Sequence, residues 1–158
     1  DGFHYPKAYL AAMPNAAEAF ARRGAPWTFD AAGFVTTLAA VRTGADVVDW
    51  PGFEHRIGDP VPAAVAVDPA ARIVVVEGLY LLHDGDGWEA VRPLLDECWY
   101  LDTPPAVAME RLARRHMAAW DFSRSQADER IAQSDGINAR LVAGTAQRAD
   151  WLLAVAHH

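Results

Sequence analysis

Three short apolar runs constrain the fold of this chain more than any other feature of its sequence. They cover residues 72–76, 97–101 and 150–155, and aliphatic and aromatic side chains dominate them. Runs of this length and composition are typical of strands that are buried on both faces of a parallel sheet. Because segments with helical spacing separate them, the sequence predicts a doubly wound α/β sheet with flanking helices, which binds ligands at the carboxyl ends of its strands.

Four segments have the apolar spacing of amphipathic helices. The clearest lies between Asp30 and Arg42, where Asp30 is placed to cap the first turn and Gly44 to end the last one. The other predicted helices cover residues 88–95, 104–116 and 125–142.

A proline-rich stretch over residues 50–62 is the least regular part of the sequence. Short strand candidates at 46–48 and 63–67 flank it, so it is either a functional loop or a small hairpin. The chain has 158 residues, of which 52% are hydrophobic, and no linker divides it. These properties predict one domain over residues 1–158.

Charge and composition limit the classes of partner. A net charge of −7 argues against nucleic-acid binding, which needs a basic face. No apolar stretch reaches the roughly twenty residues that cross a bilayer, so we expect a cytoplasmic protein without a membrane partner. The single cysteine, Cys98, excludes an internal disulfide and lies in an apolar run, where we expect it to be buried. His157 and His158 are either native or a tag remnant.

Two acidic residues have positions that suit phosphoryl transfer. Glu77 ends the predicted strand 72–76, where a carboxylate can hold Mg²⁺ or its water shell beside a nucleotide's phosphates. An acid that merely faces solvent is the alternative. Asp1, followed by a glycine and two polar rings, is placed to accept a proton from a substrate hydroxyl. A disordered terminus is the alternative there.

Cations concentrate in one region of this acidic chain. Arg111, Arg114 and Arg115 recur along the third predicted helix, and further arginines follow. Arginines on a movable segment can clamp a transferring phosphoryl group, whereas charges at helical spacing are otherwise a solvated face. Because the cations cluster, we interpret residues 116–130 as an arginine-bearing lid.

Taken in order, the motifs resemble the P-loop kinase family that contains uridine kinase, pantothenate kinase and phosphoribulokinase, and especially its uncharacterised bacterial nucleoside or sugar kinase-like branch. The resemblance spans nearly the whole chain. Seven segments carry it: residues 1–5, 23–30, 51–60, 76–82, 99–102, 110–116 and 134–141.

The resemblance implies a P-loop NTPase-like fold and an enzyme that uses ATP and Mg²⁺ to phosphorylate a hydroxyl of a nucleoside, a sugar or a pantothenate-like compound. It implies that Asp1 is the catalytic base, that Glu77 is the metal-side acid with Asp1 contributing to the Mg²⁺ water shell, and that Arg111 and Arg115 are catalytic lid arginines. It further implies substrate-binding roles for His4, Tyr5, His55, Arg56 and Asn138. For Asn138, helix packing or capping is the alternative.

One family motif has no counterpart in this sequence. The Gly-x-x-x-x-Gly-Lys-Ser/Thr loop is absent, and the only lysine, Lys7, lies outside any glycine-rich context. We therefore expect that the first strand and its phosphate-binding loop are missing, and that the chain as given binds ATP poorly and is inactive. A second departure is Glu54 at a position where relatives more often carry aspartate. A non-catalytic nucleotide-binding or regulatory protein and a nucleotide hydrolase are the alternatives; oligomerisation is possible.

Overall fold

The computed structural model describes residues 1–154. The chain divides into two compact units, one from Asp1 to Asp96 and one that begins at Glu97. The question about His157 and His158 lies outside the described residues. Among the described residues, no helix has the length and apolarity to cross a membrane. A single domain over 1–158 with a lid at 116–130 stays a prediction, and each unit is described by itself below.

Helix α3 of the first unit confirms the clearest helix prediction. It covers Ala31–Thr43, after the shorter helices α1 (Lys7–Ala11) and α2 (Ala16–Ala21). The Asp30 carboxylate accepts a hydrogen bond from the Gly33 backbone N–H at 2.9 Å, which satisfies one amide that the first turn leaves unpaired.

An antiparallel hairpin follows α3 and runs through the proline-rich stretch. Strands β1 (Val48–Glu54) and β2 (Asp59–Val67) pair from Val48 opposite Val67 to Glu54 opposite Asp59. The register shifts between Trp50 and Gly52, where Pro51 has no N–H to contribute to the ladder. The hairpin alternative is therefore confirmed, and the observed strands are longer than the candidates predicted at 46–48 and 63–67.

Two predicted elements of the first unit are wrong. Residues 72–76 form no strand and pair with none among the described residues, and Ile73 and Val75 are 84% and 87% exposed. A strand needs a hydrogen-bonded neighbour, which local apolarity cannot supply. The helix predicted over 88–95 is instead two 3₁₀ turns, Trp88–Ala90 and Arg92–Leu94, because Pro93 cannot donate an α-helical hydrogen bond.

The second unit contains a parallel strand pair joined by a helical crossover. Strand β3 (Trp99–Asp102) pairs in parallel with β4 (Trp151–Ala154), and Cys98, directly before β3, is buried as predicted. The helices between them are α4 (Pro105–Trp120), α5 (Arg124–Arg130) and α6 (Gly136–Ala143). The positions of both strands and of the third helix are confirmed with shifted starts. The predicted burial of the two strands is wrong, because Trp99, Leu101, Trp151 and Leu152 are each about 60% exposed.

The fourth predicted helix contains an irregular turn. A π-helical segment, Ile131–Asp135, connects α5 directly to α6, so the predicted helix 125–142 is continuous but is not α-helical throughout. Such segments insert a residue into the helical register and redirect the side chains around them. Apolar spacing alone does not reveal such a turn.

Candidate active site

The first unit holds a cavity of about 520 Å³ that both predicted acids line. Asp1 and Glu77 contribute to its wall, although Glu77 follows an unpaired segment without regular structure rather than the predicted strand. Gly2 is needed next to Asp1 because a Cβ there would overlap the carbonyl group of Pro51. The structure thus brings the two carboxylates to one cavity, while their roles stay predictions.

Aromatic rings form much of the wall of this cavity. The Phe3 ring meets those of Phe34 and Trp50 edge-on, with centroids 5.0 and 5.1 Å away, and Phe34 lies 5.3 Å from Trp88. Edge-to-face packing at these separations stabilises a fixed arrangement of rings. Sequence analysis missed this cluster because its members are far apart in the chain and share no periodicity.

His4 lies beside a second cavity of about 290 Å³, between the N-terminal segment, α3 and the hairpin. Its Nδ1–H donates to the Asp1 carbonyl oxygen at 2.9 Å, since a carbonyl can only accept, and its Nε2 is then an acceptor. Burial, assisted by the positive charge of Arg23, lowers the pKa of His4 to about 4. The ring is therefore neutral near pH 7 and can hydrogen-bond to a ligand without adding charge.

Tyr5 contributes to the same second cavity. Its ring stacks on that of Tyr9 at 4.2 Å, and burial, with smaller contributions from Asp30 and Tyr9, raises the pKa of its phenol. Tyr5 thus stays a neutral hydroxyl that can both donate and accept a hydrogen bond.

The stability of the protein should depend on His4 between pH 6.5 and 4. The unfolded chain takes up a proton on this residue near pH 6.5, whereas the folded chain does so only at about 4. Stability is therefore full above pH 6.5 and is lost as the pH falls towards 4. We expect the wild type to lose about 2 kcal/mol more than His4→Gln between pH 7 and 4.5, after allowance for partial exposure. Urea unfolding of both proteins at the two pH values measures the difference; equal losses would contradict the prediction.

His55 and Arg56 lie in the turn between β1 and β2. His55 is exposed, with its ring 5.2 Å from that of Phe53, and the exposed Arg56 makes only a long 3.9 Å ion pair with Glu54. Neither residue lines either cavity. The structure does not bring them to the two acids, and substrate contact stays a prediction for both.

Arg111 and Arg115 are exposed on α4, one helical turn apart and therefore on one face. Their neighbour Arg114 pairs with Glu110 at 2.9 Å, and Arg124 reaches the same carboxylate at 2.8 Å. These hydrogen bonds lower the pKa of Glu110, and the bond from Arg114 contributes more than the bond from Arg124. Within residues 1–154, neither Arg111 nor Arg115 has an ion-pair partner, so both guanidinium groups remain available for an anionic ligand.

A buried histidine at the end of the arginine-bearing stretch of α4 pairs with a partly exposed aspartate. His116 Nε2 lies 2.8 Å from Asp135 Oδ2, and the His116 ring stacks on Trp120 at 4.5 Å. The π-helical segment carries Asp135 to this position. Asn138, in α6, is buried, which supports the packing alternative; its substrate-binding role stays a prediction. Sequence analysis missed the pair because nineteen positions and an irregular turn separate its members.

Any Mg²⁺ at the two acids would be held through its water shell rather than in a protein cage. No group of three carboxylate, histidine or cysteine side chains is arranged for a metal within residues 1–154. Mg²⁺ usually keeps several waters and needs only one or two carboxylates beside a substrate's phosphates, which Asp1 and Glu77 can supply. Lys7 does not resemble a phosphate-binding lysine here, because its ammonium group donates to the Ile57 carbonyl.

Comparison with known proteins identifies related kinases. No family model matches the chain. It is 39% identical over 144 residues to the ATP-dependent kinase-like protein notR' of Aspergillus versicolor, covering 88% of this chain and 84% of that protein. It is 38% identical over 144 residues to a protein of Schizosaccharomyces pombe named as a putative uridine kinase, covering 90% of this chain and 61% of that protein. The chain spans only 46%, about half, of the length of another curated ATP-dependent kinase that it matches.

A solved structure shows the same fold. The crystal structure of a putative fructose transport system kinase from Silicibacter sp. TM1040 superposes with a TM-score of 0.86 at 30% identity, over 96% of this chain and 71% of that one. The predicted α/β, P-loop NTPase-like fold is thereby confirmed. Identity over most of the length of one relative, together with this superposition, shows that the chain belongs to the P-loop kinase family of ATP-dependent kinases.

Proposed function

We propose that the protein transfers the γ-phosphoryl group of ATP to a hydroxyl of a small metabolite such as a nucleoside or a sugar. The observation that carries this proposal is the shared cavity of Asp1 and Glu77 within an aromatic wall. Aromatic walls suit the flat faces of bases and sugar rings, and carboxylates suit hydroxyl activation and metal binding. The names of two relatives refer to uridine and to fructose, which agrees with this class of acceptor.

Asp1 is the catalytic base in this proposal. Its carboxylate orients the acceptor hydroxyl and takes its proton as the hydroxyl oxygen forms a bond to the γ-phosphorus. The bond between that phosphorus and the β–γ bridging oxygen breaks, and ADP leaves with the electron pair. Asp1 returns the proton to solvent after the phosphorylated product departs.

Glu77 and Asp1 hold Mg²⁺ through its bound water in this proposal. The ion, when bound, neutralises negative charge on the β- and γ-phosphates. This chain's contribution is the pair of carboxylates at one cavity. The sequence lacks the glycine-rich lysine loop, and we infer that the 158-residue chain alone binds ATP poorly.

Neutral polar groups of the first unit are proposed to bind the acceptor. His4 and Tyr5 offer hydrogen bonds to an uncharged acceptor, with His55, Arg56 and Asn138 as further proposed contacts. The lid, residues 116–130, would exclude water from the reaction, which limits hydrolysis. The clamp on the transferring phosphoryl group is assigned to the two arginines of α4 that have no described ion-pair partner, Arg111 and Arg115.

Acceptor-dependent turnover of ATP tests this function. The full-length protein is incubated with ATP and Mg²⁺ alone, and then with nucleosides, sugars and pantothenate in turn, while ADP and phosphorylated product are measured. We expect ADP release to rise at least about tenfold with one acceptor class, because a bound acceptor completes the site. Phosphate release that no acceptor changes would instead indicate a nucleotide hydrolase. Nucleotide binding without turnover would indicate a regulatory protein.

A further inference from the structure

Arg23 connects parts of the first unit that are distant in the sequence. Its side chain is only 15% exposed, and its Nη2 donates to Asp59 Oδ1 at 3.0 Å and to the Tyr5 carbonyl oxygen at 3.2 Å. Its Nη1 donates to the Gly58 carbonyl, and the guanidinium lies over the Phe53 ring at 5.8 Å from the centroid. One guanidinium therefore contacts both the segment that carries Tyr5 and the end of the hairpin turn.

Asp59 and Lys7 complete the same connection. The Asp59 carboxylate accepts a second hydrogen bond, from the Lys7 backbone N–H at 2.9 Å, at the start of α1. Lys7 in turn donates its ammonium group to the Ile57 carbonyl, which lies in the turn. The carboxylate thus caps a helix from 52 positions away, and three charged groups fix the turn against residues 4–7.

We propose that Arg23 and Asp59 are positioning residues of the acceptor site. They hold the hairpin turn, with His55 and Arg56, at a fixed place relative to His4 and Tyr5, so that the two surfaces bind one acceptor together. This inference rests on the proposed kinase function. A guanidinium with several directed hydrogen bonds fixes geometry as well as charge, whereas an exposed ion pair fixes little.

Kinetics of variants in the full-length protein test the positioning role. Arg23→Gln and Asp59→Asn should each raise KM for the acceptor by about tenfold, the effect of losing a hydrogen bond to a charged group. We expect kcat and KM for ATP to change by less than about twofold, since these residues touch no reacting atom. Arg23→Lys keeps the charge but loses the directed donors, and it should rescue only part of the acceptor affinity.

The matched control is Arg42→Gln, which breaks the exposed ion pair of Arg42 with Asp96 at 2.8 Å in the same unit. It should leave all three kinetic constants unchanged. The positioning role is wrong if Arg23→Gln also leaves KM for the acceptor unchanged, or if it lowers kcat alone.

Hydrogen exchange separates this inference from the kinase assignment. The Ile57 and Gly58 amides both donate to the Glu54 carbonyl, at 3.1 and 2.6 Å, so their exchange reports opening of the turn. Exchange in this turn should be about tenfold faster in Arg23→Gln than in the wild type or Arg42→Gln, with α3 amides unchanged. If exchange is faster in Arg23→Gln but the wild type turns over no acceptor, the kinase proposal is refuted and the structural connection stands. Unchanged exchange would refute the connection itself.

Discussion

Replacing Asp1 by asparagine in the full-length protein should lower kcat by about a hundredfold or more, the usual effect of removing a positioned general base. Asparagine keeps the size of the side chain and can still orient a hydroxyl, but it cannot take its proton at neutral pH. KM for the acceptor should change little, because the lost interaction matters mainly in the transition state. Steady-state kinetics with the best acceptor measure both constants.

Asp49→Asn is the matched control for this experiment. Asp49 is an exposed carboxylate on β1 of the same unit and lines neither cavity. It should retain wild-type turnover, which would show that loss of one negative charge is not the cause of the Asp1 effect. Unchanged turnover in Asp1→Asn would remove Asp1 from the base role and leave Glu77 as the remaining proposed acid at this cavity, which Asp68 also lines.

Replacing Phe34 by alanine should lower the free energy of unfolding by about 3–5 kcal/mol, the range for truncating a buried phenylalanine. Phe34 is only 5% exposed, and its ring contacts Phe3, Trp50 and Trp88 at centroid distances of 5.0 to 5.5 Å. Truncation would therefore leave a void among three rings. Urea unfolding followed by tryptophan fluorescence measures the loss, since Trp50 and Trp88 report on this cluster directly.

Phe20→Ala is the control, because Phe20 lies on α2 with 44% of its surface exposed. Its loss should cost less than about 1 kcal/mol, as for most surface substitutions. If the two variants lose equal stability, the aromatic cluster contributes no more than exposed apolar surface does. Its role in shaping the cavity wall would then need another explanation.

Elements that depend on neighbouring residues were predictable from the sequence. Helix α3 begins and ends at its predicted caps because Asp30 and Gly44 act within one turn of the helix. Strands β3 and β4 were also predicted, since both are short apolar runs, and they pair with each other in the structure. Residues 72–76 have the same apolar character but no paired neighbour, so composition predicted a strand that the described structure lacks.

The candidate site was predictable only in part, because its parts come from distant positions. Asp1 and Glu77 were predicted as site residues because they match family motifs, and both line one cavity in the structure. The connection between Arg23 and Asp59 could not be predicted, because it requires the fold of the hairpin against α1. Nor could periodicity indicate that His4 loses its basicity, which depends on burial in three dimensions.

The π-helical turn has a consequence for how this region tolerates changes in length. An α-helix rotates about 100° per residue, so loss of a single residue from Ile131–Asp135 would rotate α6 by that angle relative to α5. The helix would survive such a deletion, but Asp135 would turn away from His116 and Asn138 would leave its buried position. The number of residues in this turn, more than the identity of its exposed side chains, therefore sets the alignment of Asp135 with His116.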